Sequence, residues 1–200
     1  MKNRASLCWP FLIMVFLLAA CSSTPPVKFY NLNSLPNGRQ ENPGAILDED
    51  IAIGIGPVDF PEFLERPQIV TRKSLNRLEI SEFHRWAGSL PGDFSRVLAK
   101  NISILLPSNR VAVYPWGDAF CPTYQIKLDV EQFDGRLGRQ VVLRVTWLVV
   151  GQEGKNELAV RKSLIEEPVL TNDYEGLVAA QSNALATLGR EIVDEVKRLR

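Results

Sequence analysis

Histidine, cysteine and long apolar runs are scarce in this chain, and each shortage removes a class of function. His84 is the one histidine in 200 residues. A Ser-His-Asp or Cys-His mechanism would have to run through it, and the chain holds no Gly-x-Ser-x-Gly elbow. Of three cysteines, Cys8 and Cys21 belong to an N-terminal leader and its boundary. Cys121 is then left without an intrachain disulfide partner, and it reads as a small buried hydrophobe. No Cys or His pair has zinc-ligand spacing. Charge of neither sign dominates, with 23 Lys plus Arg against 23 Asp plus Glu. Losing Lys2 and Arg4 with the leader leaves 21 cations against 23 acids, which argues against a nucleic-acid partner. Two carboxylates would suffice for glycosidase chemistry, but none stands in a recognisable context. The reading is of a protein that is not an enzyme and needs no cofactor or metal.

The apolar run at residues 7–20 is too short to cross a bilayer, which takes about 20 apolar residues. It follows Met1-Lys2-Asn3-Arg4 and closes on Leu18-Ala19-Ala20-Cys21. A cationic start, a short apolar stretch and small residues before a cut describe a secretory signal. Cysteine directly after the cut supplies a thiol for a thioether to diacylglycerol, and the four residues resemble the bacterial lipobox. Residues 1–20 are therefore expected to be a signal peptide, with Cys21 carrying lipid such as palmitate. Several acyl chains, each contributing about 0.8 kcal/mol per buried CH₂, make a permanent anchor. Ser22 at the second mature position, in place of Asp, implies sorting to the outer membrane of a Gram-negative cell, facing the periplasm.

Hydrophobic content of 46% is ample for a packed core. The expected organisation is a lipidated tether at 21–26 and a single domain at 27–200. Candidate strands lie at 27–32, 51–55, 69–72, 77–80 and 111–114. Residues 33–50 read as an exposed loop, and their Asp48-Glu49-Asp50 run as a solvated tip rather than a metal site. Phe94, Val97, Leu98, Ile102 and Leu105 recur at helical spacing over 91–106. Tyr124, Ile126, Leu128 and Val130 then alternate with polar residues, as on a half-buried strand. Strands at 140–150 and 158–165 follow after glycine turns, which predicts a three-strand antiparallel meander. Asn172, with Glu175 three residues on, is placed to cap a last helix. Tyr174, Leu177, Val178, Leu185, Leu188, Ile192, Val196 and Leu199 mark one face of that helix. Packing on the sheet is favoured over lying on a membrane, because Glu191, Asp194 and Glu195 offset its bases. The fold class is mixed α/β, a largely antiparallel sheet packed by two main helices.

Several segments together resemble a family. They are the lipobox, Tyr30-Asn31-Leu32, residues 53–58, Arg66-Pro67-Gln68-Ile69-Val70, Trp86-Ala87, residues 130–136 with 142–147, and the helix at 177–192. In that order they resemble the PqiC-type lipoproteins, auxiliary components of ABC-type and MCE intermembrane transport systems. The resemblance implies a periplasmic subunit at the outer membrane, working with an MCE-type transport protein in lipid movement and envelope integrity. Self-association into a homo-oligomer is left open. An adaptor needs exposed apolar surface, and Phe60, Phe63, Leu64 and Trp86, in non-periodic segments, are its candidate partner-binding residues. The competing view is that these side chains close the ends of the core. A structural lipoprotein bracing another envelope machine, or remotely a periplasmic hydrolase, are the alternative functions.

Overall fold

The computed structural model describes residues 25–36, 51–106, 108, 110–151 and 156–200. The leader, Cys21 and Asp48-Glu49-Asp50 lie outside the described residues. Among the described residues, eight strands and two α-helices run in the order β1 (Lys28–Tyr30), β2 (Ile53–Asp59), β3 (Gln68–Ser74), β4 (Arg77–Trp86), α1 (Leu90–Leu105), β5 (Val111–Val113), β6 (Tyr124–Gly135), β7 (Gln140–Val150), β8 (Glu157–Pro168) and α2 (Tyr174–Arg198).

The strands form two sheets, ordered β5-β2-β6-β7-β8 and β1-β4-β3. The β6-β7-β8 meander is antiparallel, while β2 joins β5 and β6 in parallel. The expected mixed α/β class with a meander is what is found, divided between two sheets. β2 runs on through Gly56-Pro57 instead of stopping there. Gly56 sits at φ 111, which a side chain resists, and a register shift between Ile55 and Val58 absorbs the kink.

Alternation explains the large sheet. Val141, Leu143, Val145, Trp147 and Val149 of β7 point inward and are buried. On that face lie α1 and α2. Leu177, Leu185, Leu188, Ile192 and Val196 of α2 have no exposed surface, so this stripe packs on the sheet as its spacing predicts. The helices meet at Gly189, where an added Cβ would stand 3.3 Å from that of Asn101. The cap of α2 is one residue later than expected. Asp173, not Asn172, occupies the position, its carboxylate accepting from Gly176 N at 2.8 Å and from the Thr171 hydroxyl at 2.8 Å.

The small sheet is less local. β3 and β4 form a hairpin, longer than the two short strands expected, and β1 joins β4 in parallel with Lys28 beside His84. Beyond β1 the chain is stitched to the helices by side chains. Leu32 N donates to Asp93 (3.0 Å), Asn33 N to Ser182 (3.1 Å) and Leu35 N to Asn101 (2.8 Å). The start of the expected exposed loop is thus docked, with Leu32 buried.

Candidate functional site

His84 stands within β4 and is half-buried. Its ring stacks on Tyr174 at 3.9 Å between centroids, and Nδ1 lies 2.7 Å from the Tyr30 hydroxyl. Desolvation first, and the Lys28 charge second, hold its pKa below the ordinary histidine value. The hydrogen bond between Tyr30 and His84, together with the stack on Tyr174, ties β1, β4 and the start of α2 together. That arrangement offers adhesion between elements.

Buried charge elsewhere is similarly engaged. Asp134, fully buried on β6, accepts from Arg72 Nε (2.9 Å), Arg72 Nη2 (2.7 Å) and Gln132 (2.8 Å). Glu195 of α2 accepts from Arg161 of β8 and from Arg198. On the same face of β8, Ser163 accepts from the Trp147 indole at 2.8 Å and donates to Glu191.

The four proposed partner-binding residues divide. Trp86 and Leu64 belong to the core, with 5% and 2% of their surface exposed, so they offer a partner almost nothing and that expectation is corrected. Trp86 ends β4, where its N–H is held by Pro67 O at 2.7 Å. Phe60 is half-buried and meets Phe94 edge-on at 5.1 Å. Phe63 is half-buried against the core as well. Cys121 also departs from expectation, being exposed and free. It lies between β5 and β6, where Tyr114, Trp116 and Phe120 pack edge-on in series and take the apolar contacts instead.

Exposed apolar surface lies elsewhere. Leu158, Val160 and Leu164 of β8 face away from α2 and are largely open. Among the described residues β8 has no strand on its far side, so a 12-residue edge presents unpaired backbone groups beside that face. A surface of this kind suits another protein's strand or an apolar patch.

Residues 30–193 match the family model of the ABC-type transport auxiliary lipoprotein component. The chain belongs to that family. This auxiliary lipoprotein is therefore a component of a transport system, consistent with a membrane-anchored position and a transport-system partner. No curated protein matches its sequence. Among solved structures, an uncharacterized protein is similar with a TM-score of 0.70 at 21% identity, over 86% of this chain and 99% of its own. Protein XCC0632 from Xanthomonas campestris, of the DUF330 family, is similar with a TM-score of 0.64 at 15% identity, over 84% and 93%. At such identities the likeness is one of fold. The signal for the open face of the auxiliary lipoprotein was present in residues 157–168. Leu158, Val160 and Leu164 alternate with Ala159, Ser163 and Ile165, so both faces of the strand carry small or apolar groups where a half-buried strand would carry them on one.

Proposed function

We propose that this auxiliary lipoprotein is a non-catalytic periplasmic subunit of an intermembrane lipid transport system, held at the outer membrane by lipid on Cys21. Its partner is an MCE-type transport protein, and its role supports envelope integrity. The family match over residues 30–193 carries this reading. The leader ending in Leu18-Ala19-Ala20-Cys21 supports the anchor, with 1–20 removed, 21–26 as tether and 27–200 as the domain. Ser22 supports outer-membrane sorting. The open face of β8 supports a protein partner, because a monomer gains nothing from leaving three large aliphatic side chains in water.

The test is co-expression of the lipidated protein with an MCE-type protein from the same organism, followed by affinity purification from solubilised membranes. Stoichiometric recovery is expected, lost when Leu164 is changed to Asp. Recovery of envelope assembly factors without any MCE protein would replace the transport reading with that of a bracing lipoprotein. Cys21→Ser should abolish fatty-acid labelling, and Ser22→Asp should move the protein to the inner membrane on a density gradient. Equal labelling, or an unchanged gradient, would overturn the corresponding part.

A further inference from the structure

Two turns of this chain set a leucine between cations: Lys73-Ser74-Leu75-Asn76-Arg77 and Arg136-Leu137-Gly138-Arg139. The fold brings them to one end. Arg72, at the base of the first turn, pairs with Asp134 at the base of the second. Between them an open cavity of about 400 Å³ is lined by Leu75 and by Arg72, Arg136, Arg139 and Arg144, with Asp134 and Glu166 as its acids. Four cations against two acids leave an excess of two, in a mature chain whose overall excess is two acids. Asp134 is already saturated by Arg72 and Gln132. The guanidinium groups of Arg136, Arg139 and Arg144 bond to no described residue. Arginine forks of this kind match phosphate oxygens two at a time.

Apolar groups protrude beside this charge. Leu75 is 86% exposed at the tip of the β3–β4 hairpin, and Leu170, just past the end of β8, is 89% exposed. β8 ends at Pro168, opposite Gln140, the residue after Arg139. Both leucines therefore mark the same end of the molecule as the arginines. The geometry points to this end as a membrane-facing surface, with the arginines on the phosphates of anionic lipid headgroups and Leu75 entering the interface.

The anchor favours a bilayer over an acidic protein, and here the inference rests on the lipidation of Cys21 proposed above. β1 runs parallel to β4, so the chain before Lys28 leaves toward the hairpin tip. Cys21 precedes Lys28 by as many residues as Arg77 precedes His84. An extended tether, at about 3.3–3.6 Å per residue, reaches the level of Arg77 and no further than a turn beyond it. A bilayer holding Cys21 is therefore within reach of the leucine-tipped end. Cations flanking an apolar tip are the arrangement that binds anionic interfaces and weakens with salt.

The test uses the lipidated protein in vesicles, with Cys121→Ser and an environment-sensitive fluorophore on Leu75→Cys. A second protein carries the label on Lys162→Cys, on the outer face of β8 away from this end. Nitroxide groups on the acyl chains should quench the label at 75, and not at 162, in vesicles containing phosphatidylglycerol. In phosphatidylcholine alone, or with Arg136, Arg139 and Arg144 all changed to Gln, quenching at 75 should fall about tenfold. Changing the same three to Lys should retain it, which guards against a folding defect. Equal quenching in both lipids, untouched by the Gln changes, would overturn the electrostatic part. No quenching in either lipid would overturn the membrane surface. If inorganic phosphate at matched ionic strength then raises the melting temperature of the wild type alone, the cluster is a site for a free anion instead. These vesicles contain no transport partner, so each outcome is separate from the success or failure of partner capture.

Discussion

The two sheets are made from similar residues but held by different means. The five-stranded sheet is closed by burial, with α2 lying on alternating inward residues of β6, β7 and β8 and α1 lying over β2 and β5. The three-stranded sheet sends Ile69, Val70 and Trp86 into the same core but adds specific ties, namely the Tyr30–His84–Tyr174 cluster, the Arg72–Asp134 pair and one parallel pairing three residues long. The difference teaches where the molecule keeps its stability and where it can vary. Losing any single apolar contact in the large sheet is a matter of degree, whereas each tie in the small one is either made or absent.

The largest effect should come from removing α2. A chain ending before Asn172 gives up the burial of Leu177, Leu185, Leu188, Ile192 and Val196, each worth about 1.5–3 kcal/mol. Such a loss is comparable with the whole stability of an ordinary domain, about 5–15 kcal/mol, and no cooperative melt is expected. A truncated chain that still melted cooperatively would show the large sheet to be self-sufficient. Next is Phe133→Ala, which removes the ring packed edge-on against Phe94 at 5.3 Å. It should cost about 3–5 kcal/mol by urea titration. Arg72→Met comes third. It strands the buried Asp134 carboxylate with Gln132 as its remaining partner, at a cost of about 3 kcal/mol. A loss greater than that measured for Phe133→Ala would reverse this order.

The smallest effect concerns pH. With its folded pKa lowered, His84 takes up a proton in the unfolded chain before it does so in the fold. Its contribution is therefore neutral above the ordinary value near 6.5. Stability falls as pH drops below that value, and the loss levels off once the folded pKa is passed. His84→Phe should keep the stack on Tyr174 and flatten that part of the profile. An unchanged slope between pH 7 and pH 5 would place the titration on another group.

What was legible in the sequence tracks the range of the interactions. The meander and both helices rest on periodicity within a dozen residues, and Ile126 to Val130 or Leu177 to Val196 display it openly. The split into two sheets does not. It depends on Lys28 finding His84, and on the backbone of Leu32, Asn33 and Leu35 finding Asp93, Ser182 and Asn101 on the helices. Trp86 was misread for the same reason. Its burial follows from strand β4 continuing past Ile80, which the mixed stretch Ser81-Glu82-Phe83-His84-Arg85 conceals. The capping position differed by one residue because Asn172 and Asp173 are both competent caps, and only the fold decides between their carboxyl and amide oxygens. Of the candidate site, the proposed anchor at Cys21 rests on a local motif alone. The arginine cluster has no such motif, since Arg72 and Arg136 come to line one cavity only through the packing of two turns.

The unpaired margin of β8 carries a consequence for how the protein is made and stored. A strand of this length with open backbone groups is a template on which any extended chain can grow. Arg161, Lys162, Glu166 and Glu167 interrupt it with charge of both signs, which discourages stacking of like copies without closing the edge. Before its partner arrives, the molecule is thus guarded chiefly by dilution and by those four side chains. Overproduction without the rest of the machine should precipitate it sooner when they are neutralised.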